Sequence, residues 1–169
     1  IDLSLLANVQ AVVDHADPAR SHERLRRLIL DMQDCLTSVE RCPKPVIAAP
    51  QGAGIGAGVA LVTCCGMRYG AADAQFSVRE IDVGMVADVG TLQRLPHLVP
   101  DGVARELAFT GRMLDAGEAQ EIGLINREFE THEALQEGVK KIARSIAGKS
   151  PLAVRGTKEM LNYGRDHSV

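Results

Sequence analysis

The chain has 169 residues, of which 46% are hydrophobic, and a formal net charge of −3 at pH 7. This length suits one domain or a large part of one. The balanced charge, with three Phe, two Tyr and no Trp, argues against nucleic-acid binding through basic patches or base stacking. No apolar run approaches the roughly 20 residues of a membrane span, so we expect no membrane insertion.

The four cysteines lack the spacing of zinc ligands, and the five histidines are scattered. We therefore expect no metal site and predict reduced thiols packed in the interior. The first residue is Ile1 rather than Met, and no turn or cap precedes the first apolar stretch. We expect the sequence to be a fragment of a longer polypeptide.

The first half of the chain alternates helical and extended patterns. Apolar residues recur at steps of three and four between Ser21 and Arg41, which predicts an amphipathic helix ended by Pro43. Short strands are predicted at 45–49, 67–69 and 75–78, and a helix that is apolar on nearly every side at 58–65. Residues 79–88 are predicted to be irregular and residues 90–99 helical.

The second half of the chain contains several recognisable helix-capping signals. Asp101 is predicted to cap a helix that ends near Gly111, and residues 115–118 resemble a capping box, with Gly123 ending that helix. Residues 124–125 are a strand candidate. Thr131 and Ser150-Pro151 open the last two helices. Strands followed by helices predict an α/β fold with a helical C-terminal part.

A glycine-rich turn at residues 51–58 leads into the apolar helix. Free N–H groups and the helix dipole at such a start can hold a phosphate or an oxyanion, although a tight turn with close helix packing explains the glycines equally well. Gly52 to Ala57 also fits the dinucleotide fingerprint G-x-G-x-x-A, with Asp73 about 20 residues on. The poor strand before Asp73 argues against that alternative.

Three carboxylates follow: Glu80, Asp82 and Asp88. Glu80 and Asp82 would share one face of an extended segment. Asp88 lies beyond an apolar patch, residues 83–87. A carboxyl group among apolar side chains favours its neutral form and suits general acid/base catalysis. The alternative for Asp88, two residues before Gly90 and a predicted helix, is a helix cap.

Four motifs resemble the crotonase superfamily, also called the enoyl-CoA hydratase/isomerase family: residues 42–49, the Gly54-Ile-Gly-Ala-Gly58 turn, Phe76-Ser-Val-Arg-Glu80 and residues 90–96. Residues 80–84, 87–90, 106–110 and 165–169 are similar to its Δ3,5-Δ2,4-dienoyl-CoA isomerases. The resemblance implies a crotonase-type spiral of ββα units, incomplete at both ends. It also implies a single domain over residues 1–169, with a core to about 125 and a helical part from about 126.

The resemblance further implies the residues of the site. Two backbone N–H groups bind the thioester oxygen, one from Ala57 beside Gly56 and one from Ile1 of the pair Ile1-Asp2. The acids matching Glu80 and Asp88 move protons at C6 and C2 of a 3,5-dienoyl-CoA. The expected activity is therefore an intramolecular transposition of C=C bonds, giving 2,4-dienoyl-CoA in fatty-acid β-oxidation.

Further expectations about the whole protein come from the same resemblance. Coenzyme A is part of the substrate, so no separate cofactor is expected. A homotrimer or a dimer of trimers is expected. The compartment would be the cytoplasm in a bacterium, and the mitochondrion or peroxisome in a eukaryote.

Ala60 departs from the family pattern. Dienoyl-CoA isomerases have an aspartate at this position and hydratases a glutamate, so Ala60 argues against hydration. Two alternatives remain open. One is a Δ3-Δ2 enoyl-CoA isomerase, or another crotonase that uses Glu80 alone. The other is a catalytically weak homologue that binds CoA thioesters.

Overall fold

The computed structural model describes residues 17–167. Its helices are α1 (Pro18–Arg41), α2 (Ala57–Cys64), α3 (Thr91–Arg94), α4 (Asp101–Thr110), α5 (Ala116–Glu121), α6 (His132–Ala147) and α7 (Pro151–Asp166). Its strands are β1 (Ile47–Ala48), β2 (Ala53–Ile55), β3 (Met67–Ala71), β4 (Gln75–Ser77), β5 (Leu114–Asp115) and β6 (Arg127–Phe129). Short 3₁₀ helices span Glu80–Val83 and Leu95–His97.

The strands form two three-stranded sheets. One has the order β1-β3-β6 and is parallel throughout; the other has the order β2-β4-β5, with β2 and β4 parallel and β5 antiparallel. Strands β1 to β4 alternate between the two sheets, β5 stays in the sheet of β4, and β6 returns to the first sheet. Helix α2 leads from β2 to β3. Because β2 and β4 run parallel, with Ile55 opposite Ser77, the segments that follow them emerge at the same edge. This edge carries the glycine turn and Glu80.

The core lies between α2, the β2-β4-β5 sheet and the helices after Gly90. Phe76, Leu95 and Leu114 are at most 1% exposed there and pack with Val59 of α2. Burying a side chain of this size contributes about 1.5–3 kcal/mol to folding. A smaller cluster under α6 joins Leu135 to β3 and β6. The α/β class predicted from the sequence is confirmed, while the proposed boundary near residue 125 stays a prediction.

Several predicted elements are confirmed in place. Helix α1 begins three residues earlier than predicted because the Asp17 side chain accepts a hydrogen bond from the N–H of Arg20 at 3.1 Å. Strands β1, β3 and β4 and helix α2 lie where the composition predicted them. The turn at 51–58 differs, since it contains β2. A Cβ placed on Gly54 would lie 3.3 Å from the carbonyl oxygen of Gln75 in β4, a tight contact that glycine avoids.

The helix predicted over residues 90–99 is wrong in extent. It consists of α3 followed by a 3₁₀ turn, and Pro96 lies at this junction without an N–H to continue the α-helix. The cap assigned to Asp101 is also wrong: Pro100 is the N-cap residue of α4, and Asp101 accepts a hydrogen bond from Arg105 Nε at 2.7 Å. Gly111 ends α4 with φ of 59°, as predicted.

The capping box at the start of α5 is half formed. Asp115 accepts from the N–H of Glu118 at 2.8 Å, but the Glu118 carboxylate binds the guanidinium of Arg112 instead of reaching back. The predicted C-terminal glycine, Gly123, has φ of 84° and follows the C-cap residue, Ile122.

The strand predicted at residues 124–125 is wrong, and β6 lies two residues further on. The N–H of Ile125 donates to Ala119 of α5, and the carbonyl of Leu124 accepts from the buried Arg68 guanidinium at 2.6 Å. Neither group is then available for a sheet. Burial lowers the pKa of Arg68. Thr131 caps α6 by accepting from Ala134 N–H at 3.1 Å, and Pro151 opens α7, as predicted.

All four cysteines are free thiols, as predicted, but they are not all packed. Cys64 and Cys65 are buried, and burial raises the pKa of both thiols, whereas Cys35 is exposed on α1. Within residues 17–167, no helix is long and apolar enough to cross a membrane. The same residues contain no cluster of three or more His, Cys, Asp or Glu suited to a metal ion.

Candidate active site

The first feature of the site is the start of α2, at the edge where β2 and β4 end. Gly56 is the N-cap residue, with φ of 57°, and its N–H donates to the carbonyl of Ser77 in β4 at 2.8 Å. Its own N–H is therefore used within the fold rather than offered to a ligand. Ala57 follows as the first helical residue, and its φ is not positive, so alanine fits there without strain.

The N–H groups of a first helical turn have no partner within the helix, and the dipole makes them attractive to negative charge. Ala57 stands at the first position of this turn. The structure thus places the N–H that the sequence predicted as an oxyanion donor at a helix N-terminus. Ile1 and Asp2, predicted to supply the second donor, lie outside the described residues.

Glu80 is the acid that the structure brings to this helix start. Glu80 is buried, with 7% of its surface exposed. Its Oε1 atom lies 3.2 Å from the position that a Cβ on Gly56 would take. Its other oxygen, Oε2, is buried without a hydrogen-bond partner among the described residues. A buried unpaired carboxylate oxygen costs free energy. A group kept in this state is available to a reacting molecule.

Asp82 does not share the face of Glu80, which corrects the prediction of an extended segment. Residues 80–83 form a 3₁₀ helix, in which residues two apart point to different sides. Asp82 is exposed and pairs with Arg79 at 2.9 Å. Only Glu80 of these two acids faces the glycine turn.

An exposed apolar segment separates the two proposed catalytic acids along the chain. Its members are the exposed Ile81, Val83, Met85 and Val86, between 39% and 67% exposed, while Ala87 turns inward to the core. The chain reverses direction after Glu80. Gly84 adopts φ of 69° there, and the N–H of Met85 donates to the Glu80 carbonyl at 3.0 Å. Exposed apolar side chains grouped in this way suit contact with an apolar ligand.

Asp88 has an exposed side chain and does not cap a helix, so the cap alternative is wrong. The N-cap residue of α3 is Gly90, without a side-chain hydrogen bond. The carbonyl of Asp88 accepts from Gln33 Nε2 of α1 at 2.6 Å. Asp88 also lines a pocket of about 330 Å³, whose other walls include Glu40, Arg94 and Arg165.

Ala60 is completely buried, one helical turn after Gly56 and therefore on the same side of α2. Its main chain is fully used: its N–H donates to Gly56, and its carbonyl accepts from Thr63 Oγ1 at 2.8 Å. Position 60 thus supplies a methyl group, whereas the resemblance implied a carboxylate there. Glu80 has no second acid from this position beside it.

The dinucleotide alternative does not fit the observed backbone. In that fingerprint the glycines form the turn between a strand and a helix. Here strand β2 occupies the middle of the motif, with Gly52 before the strand and Gly56 after it. Asp73 is exposed in the turn between β3 and β4.

Sequence reasoning missed the contacts that α1 makes with the Asp88 segment. Gln33 lies 55 residues before its partner, and Arg94 lies 54 residues after Glu40. The helical periodicity of α1 identified its apolar stripe, and no local signal marked its polar residues as contacts.

The two three-stranded sheets, with a glycine-rich helix start at the edge where β2 and β4 end, have the fold of the crotonase class. The family model of enoyl-CoA hydratase/isomerase matches residues 17–168. The chain belongs to the enoyl-CoA hydratase/isomerase family, which confirms the predicted fold class.

Relatives within this family share high identity with the chain. It is 48% identical over its whole length to the peroxisomal Δ3,5-Δ2,4-dienoyl-CoA isomerase of Arabidopsis thaliana, and 50% identical over 90% of its length to the mitochondrial one of Homo sapiens. A crystal structure of a putative enoyl-CoA hydratase from Thermobifida fusca, in complex with acetoacetyl-CoA, has a TM-score of 0.82 and 31% identity over 86% of this chain.

The chain spans only part of these proteins. It covers 61% of the Arabidopsis isomerase, 47% of the human isomerase and 56% of the Thermobifida chain.

Proposed function

We propose that the protein is a dienoyl-CoA isomerase that converts 3,5-dienoyl-CoA to 2,4-dienoyl-CoA. The observation that carries this proposal is the buried Glu80 carboxylate, with one oxygen unpaired, against the start of α2. High identity to proteins named as Δ3,5-Δ2,4-dienoyl-CoA isomerases supports the choice of substrate. In this reading the protein acts in fatty-acid β-oxidation.

The reaction begins when the thioester oxygen accepts a hydrogen bond from the N–H of Ala57. Asp88 removes a proton from C2, and the negative charge spreads to the thioester oxygen as an enolate. A preorganised N–H donor at such an oxygen contributes about 3–4 kcal/mol to transition-state stabilisation. Glu80 delivers a proton to C6, so the double bonds move from positions 3 and 5 to positions 2 and 4. The second N–H donor is assigned to Ile1, with Asp2 beside it.

The surroundings of the acids suit an unsaturated acyl chain. The apolar segment between Glu80 and Asp88 would contact the hydrocarbon while the two carboxyl groups work on either side of it. Coenzyme A enters as part of the substrate, and no separate cofactor takes part. The proposed assembly is a homotrimer or a dimer of trimers. The proposed location is the cytoplasm in a bacterium, or the mitochondrion or peroxisome in a eukaryote.

Two other functions each have an observation in their favour. The exposed side chain of Asp88 favours an enoyl-CoA isomerase in which Glu80 alone moves the proton between C2 and C4. The buried methyl group of Ala60 favours a homologue that binds CoA thioesters with little turnover. The substrate that is turned over distinguishes all three.

The test uses purified protein with a 3,5-dienoyl-CoA, and follows the ultraviolet absorbance of the conjugated diene. Glu80→Gln and Asp88→Asn should each lower kcat about 10²–10⁴-fold, because each removes one proton-transfer group. Asp82→Asn is the matched control, since this acid is exposed and faces away from the site. It should leave kcat nearly unchanged.

Three results would contradict the proposal. Full activity of Asp88→Asn on a 3-enoyl-CoA, with no turnover of the dienoyl substrate, would favour the mechanism that uses Glu80 alone. Thioester binding without turnover of either substrate would favour the weak homologue. Full dienoyl activity of Glu80→Gln would remove the central acid from the mechanism.

A further inference from the structure

Three polar residues on α1, Gln33, Thr37 and Glu40, form what we call the α1 polar stripe. They stand at positions i, i+4 and i+7, so they lie on one face of the helix. All three line the 330 Å³ pocket that Asp88 also lines. The stripe therefore faces the segment that carries the second proposed acid.

The stripe contacts this segment at two points. At the first, Gln33 Nε2 donates to the main-chain carbonyl of Asp88 at 2.6 Å. At the second, the guanidinium of Arg94 donates to Glu40 Oε2 at 2.9 Å and to Thr37 Oγ1 at 3.2 Å. These are long-range contacts, and they hold the residues before and after Gly90 against the same helix.

Between these two points, the carbonyl of Gly90 accepts a hydrogen bond from the N–H of Arg94 at 3.2 Å, a contact within the start of α3. Residues 88–90 form a turn outside any helix or strand. Gly90 has φ of 101°, and a Cβ there would overlap the Arg94 side chain, whose Cζ lies 3.2 Å from that position. The buried Ala87 and Thr91 fix the two ends. Among the described residues, Gln33 is the residue whose side chain donates a hydrogen bond to Asp88 within this turn.

We propose that Gln33 is a positioning residue for Asp88: its side-chain amide fixes the Asp88 peptide and so aims the carboxylate at the substrate. This inference rests on the proposed role of Asp88 in proton transfer. Gln33 itself does not touch the reacting atoms. A carboxylate on a turn that is free to rotate would spend less time at the distance and angle that proton transfer requires.

The test compares two glutamines that line the same pocket. Gln33→Met keeps the length of the side chain and removes its N–H donor. Gln93→Met makes the same chemical change on α3, where the exposed Gln93 has no hydrogen bond to the described residues. Both purified variants are assayed for kcat and KM on a 3,5-dienoyl-CoA, and amide hydrogen exchange is measured over residues 88–91.

We expect Gln33→Met to lower kcat about 10–100-fold with little change in KM, because misaligned groups slow the chemical step more than binding. Amide exchange at residues 88–91 should become faster in this variant. Gln93→Met should change neither quantity. Gln33→Lys, which restores an N–H donor, should recover part of the lost kcat.

Equal effects of the two methionine variants on kcat and on exchange would overturn the inference. So would unchanged exchange at residues 88–91 in Gln33→Met. If the unmodified protein turns over no dienoyl-CoA, the proposed function fails by itself. The exchange measurement then still decides whether Gln33 holds the Asp88 turn.

Discussion

At the scale of single residues, the contact between Glu80 and Gly56 decides what the site can do. The carboxylate lies 3.2 Å from the position that a Cβ on residue 56 would take, and one of its oxygens is buried without a partner among the described residues. A glycine with positive φ makes this approach possible. The positions of the acid and of the helix start therefore depend on each other.

Replacing Gly56 should disturb both the fold and the site. Gly56→Ala forces an L side chain into a strained backbone conformation, with φ of 57° and ψ of −112°, at a cost of about 1–3 kcal/mol. It also places Cβ 3.2 Å from Glu80 Oε1. Urea unfolding should show this loss of stability, and kcat on a dienoyl-CoA should fall because the carboxylate moves.

Gly58→Ala is the matched control for this substitution. Gly58 lies in the same helix, its φ is not positive, and a Cβ there would meet nothing within 4 Å. The free energy of unfolding of the Gly58→Ala variant should stay the same or rise slightly, since alanine has a higher helix propensity than glycine. Equal loss of stability in both variants would contradict the explanation from Gly56 geometry.

At the scale of elements, α6 is held to the sheet by the contact of its middle turn with β6. Gly138 of α6 lies so close to the Phe129 ring that a Cβ on it would be 2.5 Å from Cζ. Phe129 also stacks under Arg127, whose Cζ is 4.5 Å from the ring centroid, and contacts Tyr69 edge-on. The ring therefore has little room to move aside.

Two glycine-to-alanine substitutions in long helices should have opposite effects. Gly138→Ala should lower the free energy of unfolding by about 1–3 kcal/mol, because overpacking costs more than helix propensity gains. Gly156→Ala in α7 should raise it by up to about 1 kcal/mol, because nothing lies within 4 Å of the new methyl group. Thermal unfolding measures both, and a gain in the Gly138 variant would contradict the packing argument.

At the scale of the whole molecule, Glu40 connects three helices that are distant in the chain. It binds Arg94 of α3 and Arg165 of α7, and its side chain is 13% exposed. Burial acts to raise the pKa of Glu40, but hydrogen bonds from Arg165 and Arg94 outweigh it, so the pKa lies below its ordinary value of 4.5. Arg165, which also binds Asp166, has a raised pKa.

Stability should therefore depend on pH through Glu40. A carboxyl group with a lowered pKa in the folded state stabilises the protein above its unfolded pKa of about 4.5, and this contribution is lost as pH falls through the folded value. Urea unfolding between pH 7 and pH 3 should show declining stability below about pH 4.5. Glu40→Gln should be less stable at pH 7, because it leaves the largely buried guanidinium of Arg94 without a carboxylate, and its pH dependence should be flatter.

Glu23→Gln is the control for this experiment. Glu23 also lies on α1 and pairs with Arg27, but this pair is exposed, so solvent screens it and removal should cost little. If both variants lose the same stability at pH 7, the burial of the Glu40 pairs does not explain their effect.

Much of the local structure could be predicted because its signals span only a few residues. The three- and four-residue periodicity of α1, the apolar composition of α2, the cap at Thr131 and the proline at the start of α7 act within one or two helical turns. Local prediction failed where a distant group changed the outcome. The guanidinium of Arg68, 56 residues before Leu124, takes the carbonyl that a strand would need.

For the site, too, the features set by adjacent residues could be predicted, and those set by distant residues could not. The sequence by itself determined the family, a helix that begins at the glycine-rich turn, and Glu80 and Asp88 as candidates, because these rest on motifs of adjacent residues. The tertiary structure alone decided that Glu80 is buried against Gly56 while Asp88 is exposed and held by Gln33. The reason is physical: these contacts depend on the parallel pairing of β2 with β4 and on the packing of α1, which join residues far apart in the chain.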